Sequence, residues 1–138
     1  MFTYTAERLI RRPLDEVFGF LADATRQTQW VHGVTECKWK EGGAAPGAVA
    51  EQSMTFLGKK RIVPMTVVDY EPGRRVVFEK RHPFLIRFGF EVSAEGDGTR
   101  VRYPVEMTPK GLFRIIIGLI GKRTIDGDLD RIAHSLEG

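Results

Sequence analysis

The chain has 138 residues, of which 42% are hydrophobic and 28% charged, with a net charge of +3 and an isoelectric point near 9.2. That length suits one domain over residues 1–138, which hides roughly 68% of its unfolded surface on folding and needs neither metal nor disulfide for stability. The composition excludes extended disorder, and Cys37, the only cysteine, excludes an internal disulfide.

Residues 2–10 read as a strand. Pro13 then opens a helix, with Asp15 and Glu16 in its first turn, where acidic groups suit the helix dipole. Leu14, Val17, Phe18 and Leu21 follow the helical period, and a second short helix is expected from about Thr25 to Trp30. Six strands are expected next, at about 34–40, 48–57, 61–70, 75–81, 84–94 and 99–107. Cys37 is in phase with Trp39 on the first of these and reads as a structural thiol. The segment Glu41–Gly47 is a loop too short to divide domains. Turn signals stand at Leu57-Gly58-Lys59, Glu71-Pro72-Gly73-Arg74 and Glu95-Gly96-Asp97-Gly98, so the strands pair as antiparallel hairpins. Pro64 and Pro104 each remove a ladder donor, and a bulge or an edge is expected at both.

Alternation along the last strands leaves one apolar face to cover. Val101, Tyr103, Val105 and Met107 share a phase, as do Phe84, Ile86, Phe88, Phe90 and Val92. The cover is a helix with Thr108 as N-cap and Pro109 as first residue, running to about Glu137 over roughly 42 Å. Its apolar stripes disagree. Leu112, Ile116 and Leu119 lie on one face, while Ile125, Leu129, Ile132 and Leu136 lie about half a turn away. Three arrangements satisfy both stripes: a kink between Gly118 and Gly127, a sheet that wraps the first half, or a second partner for the first half.

The basic residues come in small groups at expected turns: Arg11-Arg12, Lys59-Lys60-Arg61, Arg74-Arg75 and Lys122-Arg123. No exposed aromatics interleave with them, so no nucleic-acid partner is expected. The start of the chain lacks a basic segment followed by a long apolar core, and the run Leu112–Ile120 is far short of the roughly 20 residues needed to span a bilayer. The expected location is the cytoplasm.

Several strings carry a family resemblance. Ile10-Arg11-Arg12-Pro13-Leu14-Asp15-Glu16-Val17-Phe18 resembles the opening of the START-like (SRPBCC) superfamily, especially its polyketide cyclase/dehydrase-like branch. Leu21-Ala22-Asp23 followed by Trp30, Pro46-Gly47 before a strand, Asp69-Tyr70-Glu71-Pro72 and Gly98-Thr99-Arg100-Val101 match the same pattern in order and spacing. The resemblance implies an α+β helix-grip fold: a curved antiparallel sheet of about seven strands wrapped around a long C-terminal helix, with two short helices after the first strand. It also implies an internal cavity between sheet and helix. It does not select among carriers, cyclases and other activities.

The expected ligand-binding residues are Trp30, Met54, Phe56, Met65, Phe88, Phe90, Tyr103 and Met107, because such pockets are mostly apolar and methionine adapts to irregular ligands. His32, His82 and His134 lie in unrelated contexts and make no metal-ligand spacing with Cys37; neither a metal nor another cofactor is expected. No nucleophile elbow or phosphate loop is present, and no catalytic residue is assigned. By phase, Glu51, Arg87 and Arg102 point outward. Three functions follow. The first is binding of a small apolar, aromatic or lipid-like molecule. The second is a metal-free cyclase or dehydratase-like enzyme in which Tyr103 and His32 assist proton transfer. The third is a membrane-surface or protein-interaction role for residues 112–120, beside Lys122 and Arg123. The oligomeric state, monomer or homodimer, stays open.

Overall fold

The computed structural model describes all residues except Leu57, and all side chains except those of Phe56 and Leu57. The order of elements is β1 (Phe2–Ile10), α1 (Leu14–Ala22), a 3₁₀ helix (Ala24–Gln29), β2 (Val34–Trp39), β3 (Val49–Phe56), β4 (Lys59–Glu71), β5 (Arg75–Lys80), β6 (Leu85–Glu95), β7 (Gly98–Thr108) and α2 (Leu112–Glu137). The strands form one antiparallel sheet in the order β1-β7-β6-β5-β4-β3-β2, with β1 brought back beside β7. The sequence expectation of seven strands, two short helices and a long C-terminal helix holds.

The two strand prolines are accommodated without a bulge at either. Pro64 lies where β4 has only β3 beside it, since pairing with β5 starts at Thr66. The expected edge is there. Pro104 sits in the interior of the sheet, paired with Thr5 on one side. On the other side the β6–β7 pairing runs up to Phe88–Val105 and resumes at Glu91–Arg102 in the same register. The missing donor therefore falls in an interruption of the ladder opposite Gly89 and Phe90. Gly89 is also the point of closest backbone approach: a Cβ there would lie 2.4 Å from the Val76 carbonyl oxygen and 2.9 Å from Val77 Cα.

The long helix starts later than its cap signals suggest. Thr108 is taken into the ladder opposite Leu85, so it cannot cap a helix. The chain turns instead through Gly111 at φ +59°, a left-handed conformation that suits a residue without Cβ. From there α2 is one helix to Glu137. Its second half packs as the pattern requires, with Gly121, Ile125, Leu129, Ile132, Ala133 and Leu136 buried. A polar seam holds it along β1: Tyr4 donates to Asp126 at 2.9 Å, Arg8 pairs with Asp130, and the Arg11 backbone N–H donates to Glu137 at 2.8 Å.

The first half of α2 resolves the conflict between the two stripes in favour of exposure. Leu112 is 69% and Leu119 80% exposed, and Ile115, Ile116 and Ile120 are also exposed. The reason lies in β1, which runs alongside α2. Its first residue, Phe2, is at Gly121, where a Cβ would come within 2.8 Å of the Phe2 ring. The preceding turns have no strand of β1 beside them; on their inner edge Phe113 meets the ring of Phe84 at 5.2 Å.

Candidate functional site

Between the sheet and α2 lies a cavity of about 180 Å³, lined by residues of the 3₁₀-helix end, β3, β5, β6, β7 and α2. Most of its wall is apolar: Ile86, Phe88, Val105 and Met107 from the sheet, and Ile125 from the helix. An engineered cavity of about 150 Å³ holds a benzene ring, so this one is on the scale of a substituted single ring or a short chain. His32, which is exposed, stands at its edge.

Of the residues expected to bind a ligand, Trp30, Phe88, Tyr103 and Met107 line this cavity. Trp30 is only 2% exposed and forms part of the wall. Met65 and Phe90 are fully buried and form the core behind the wall. Phe90 stacks on Tyr103 at 4.8 Å and meets the Trp30 ring edge-on at 5.5 Å, which uses its faces for packing. Met54 is half-buried and takes its place beside a lysine, described next. The Phe56 side chain lies outside the described residues. Arg87 and Arg102 point outward as expected, paired with Glu79 and Glu91.

Two polar constellations reach the cavity, and their members Lys80, Gln52, Gln27, Asp128 and Arg131 were not among the expected site residues. The first centres on Lys80, the last residue of β5, which is 8% exposed. Its ammonium donates to Gln52 Oε1 at 3.0 Å and lies 3.9 Å from the Met54 sulfur. Gln52 in turn donates through Nε2 to Gln27 Oε1, and Gln27 donates to the Met65 sulfur at 3.7 Å. The chain of donors fixes both amides with their oxygens toward the lysine side. Burial pulls the Lys80 amine down to about 8, with the charge of Asp128 opposing the shift.

The second constellation belongs to α2. Asp128 accepts from the Tyr103 hydroxyl at 3.0 Å and from Arg131 at 2.6 Å, while Arg131 also donates to the Trp30 carbonyl at 2.9 Å. Burial pushes the Asp128 carboxyl up to about 6, against the opposing pull of Tyr103 and Arg131. Burial also raises Tyr103 well above the ordinary phenol range. A further donor is unused: the buried indole Nε1 of Trp30 has no acceptor among the described residues. Among the described residues no group of His, Cys, Asp and Glu could hold a metal ion.

Both constellations had a sequence signal. In β5, Val76, Phe78 and Lys80 share one phase, and the first two are fully buried. Asp128 lies three residues after Ile125 and four before Ile132, on the edge of the buried stripe. Gln52 shares the phase of Ala50 and Met54.

A sheet closed over a long helix with an apolar cavity between them defines a helix-grip protein. The family described as "Polyketide cyclase / dehydrase and lipid transport" matches residues 1–137, and the chain belongs to this family. No curated protein sequence matches it significantly. Solved structures share the fold at low identity. Ara h 8.0201 has a TM-score of 0.76 at 15% identity, covering 98% of this chain and 97% of its own. The Zhui aromatase/cyclase from Streptomyces sp. R1128 has a TM-score of 0.73 at 12% identity, covering 99% and 93%. Ginseng major latex-like protein 151 from Panax ginseng has a TM-score of 0.67 at 16% identity, covering 98% and 97%. Among the described residues, no helix is long and apolar enough to cross a membrane.

Proposed function

We propose that the protein binds a small, largely apolar molecule of aromatic or lipid-like character in the cavity between sheet and α2. One observation carries this reading: the roughly 180 Å³ space is walled mainly by apolar side chains, yet polar groups from four elements (β3, β5, β7 and α2) converge on it. Trp30, Phe88, Tyr103 and Met107 are its proposed ligand contacts. Native mass spectrometry of protein purified from its own host tests the reading, together with titration of small aromatic compounds. Bound small molecules, or shifts confined to cavity residues, support it; no compound perturbing those residues defeats it.

A second reading, a cyclase- or dehydratase-like enzyme, draws on Lys80 and Asp128. Burial pulls both groups toward neutrality in one cavity, as proton transfer requires. Turnover of an aromatic polyketide mimic that is lost in Lys80→Met supports it. Binding without turnover leaves the carrier reading alone.

Outside the cavity, we propose that residues 112–120 rest on anionic membrane surfaces. The exposed face of Leu112, Ile115, Ile116, Leu119 and Ile120 lies between Lys110 and Lys122-Arg123 in the chain.

A further inference from the structure

The cavity holds an imbalance of charge and of hydrogen-bond donors. Lys80 forms no ion pair among the described residues; its polar contacts are the neutral Gln52 oxygen and the Met54 sulfur. The Asp128 carboxylate makes its hydrogen bonds to Tyr103 through one oxygen and to Arg131 through the other, and reaches Lys80 as a charge without a hydrogen bond. Lys80 and Arg131 outnumber the one carboxylate, Asp128, which leaves a net positive charge at a site walled by Ile86, Phe88 and Met107. Burying such a charge is costly unless something pairs with it.

The donors tell the same story. An ammonium has three N–H groups and no acceptor, and an indole has one N–H and no acceptor. Lys80 places one donor on an oxygen, and the Trp30 Nε1 has none to bond. The Gln27–Gln52 amides give the lysine one acceptor: Gln52 Oε1 accepts from Lys80, and Gln27 Oε1 accepts from Gln52 Nε2. What fits this site is a molecule that brings acceptor oxygen and negative charge.

We infer that Lys80 is an anion anchor, and that the cavity selects apolar molecules ending in a carboxylate or an equally acidic oxygen. The inference rests on the reading of this cavity as a ligand site and adds the chemistry of the ligand's polar end. The Lys80 ammonium takes one oxygen in a charge-assisted hydrogen bond, and the apolar body lies against Phe88, Val105 and Met107. Gln52 is a positioning residue: its Oε1 accepts from the ammonium while its Nε2 is tied to Gln27. At pH 7 an amine titrating near 8 is mostly protonated, as this role needs.

A matched pair of probes tests the inference: 4-ethylbenzoate and 4-ethylbenzyl alcohol, equal in ring and tail and differing in charge. Dissociation constants come from amide chemical-shift titrations at pH 7 on the wild type, Lys80→Met and Lys80→Gln. The wild type is expected to bind the benzoate at least about tenfold more tightly than the alcohol, the discrimination of a charge-assisted hydrogen bond. Both substitutions should abolish that preference. Equal binding of the two probes by the wild type overturns the inference and leaves the cavity reading standing, as does a preference that survives in the variants. If neither probe moves the amides of cavity residues, both fall. The wild-type comparison stands by itself should either variant fail to fold.

Discussion

The hydroxyl of Tyr103 on β7 donates to Asp128 on α2 at 3.0 Å, a direct hydrogen bond between sheet and helix at the cavity wall. Asp128 is held there although burial has raised its carboxyl to about 6. A group whose folded value lies above its unfolded one contributes most to stability at low pH. That contribution is lost as pH rises from about 4 toward 6. Tyr103→Phe removes one contact that lowers the carboxyl. The variant is expected to lose about 2 kcal/mol at pH 7 by urea unfolding. Its pH-dependent loss should extend to higher pH than in the wild type. An unchanged midpoint and pH profile would show that the bond carries no stability.

Lys80 gives the opposite sign. Its folded value near 8 lies below the ordinary 10.5, so the unfolded chain binds more protons between these values. Stability from this group therefore rises with pH through that window. Lys80→Met should be more stable than the wild type below pH 8, by about 3 kcal/mol at most. The advantage should shrink toward pH 10.5. Urea unfolding of both proteins at pH 7 and pH 10 measures it, and an advantage that grows with pH would contradict the assignment.

Gly89→Ala tests the close approach of β5 and β6. The added methyl would meet the Val76 carbonyl and Val77 Cα, which are backbone and cannot rotate away. The expected loss is about 3 kcal/mol or complete failure to fold, read by circular dichroism and thermal melting. Gly121→Ala meets the Phe2 ring and the Ile117 methyl, side chains that can shift, and should be milder. A harmless Gly89→Ala would mean that the sheet is more open there than its geometry indicates.

For the outer face of α2, the double substitution Ile115→Glu and Leu119→Glu exchanges exposed apolar groups for acids. It should leave the melting temperature nearly unchanged. Sedimentation with anionic vesicles should fall at least about tenfold, since each apolar group and each added charge acts in the same direction. If the wild type does not sediment with vesicles of phosphatidylserine and phosphatidylcholine, the surface role is wrong.

Cys37 is buried, and burial raises its thiol to about 11. Since the thiolate is the reactive form, alkylation of the native protein at pH 8 should be far slower than in urea. Rapid native labelling would show that β2 opens readily.

Periodicity carried most of the fold. The phases of β6 and β7, the stripe Ile125–Leu136 and the glycine turns were visible in one dimension, because strand and helix repeats reflect which side meets water. Cap chemistry at Thr108 was overruled, because its backbone was worth more in the ladder opposite Leu85 than at a helix end. The apolar walls of the site were legible for the same reason as the core: Trp30, Phe88, Tyr103 and Met107 sit on buried phases. Its polar members were not. The phase of Lys80 pointed inward, but a lysine there counts against a buried strand end until Gln52 and Gln27 are seen beside it. Lys80 and these two partners come from three separate elements, and only the folding of β3, β5 and the 3₁₀ helix around one point brings them within hydrogen-bond reach. The sequence by itself thus determined the elements, their order and their apolar faces, because each depends on neighbours a few residues away. Tertiary structure alone decided which polar groups are buried together and which half of α2 meets water, because both depend on where β1 ends beside Gly121 and how the sheet closes.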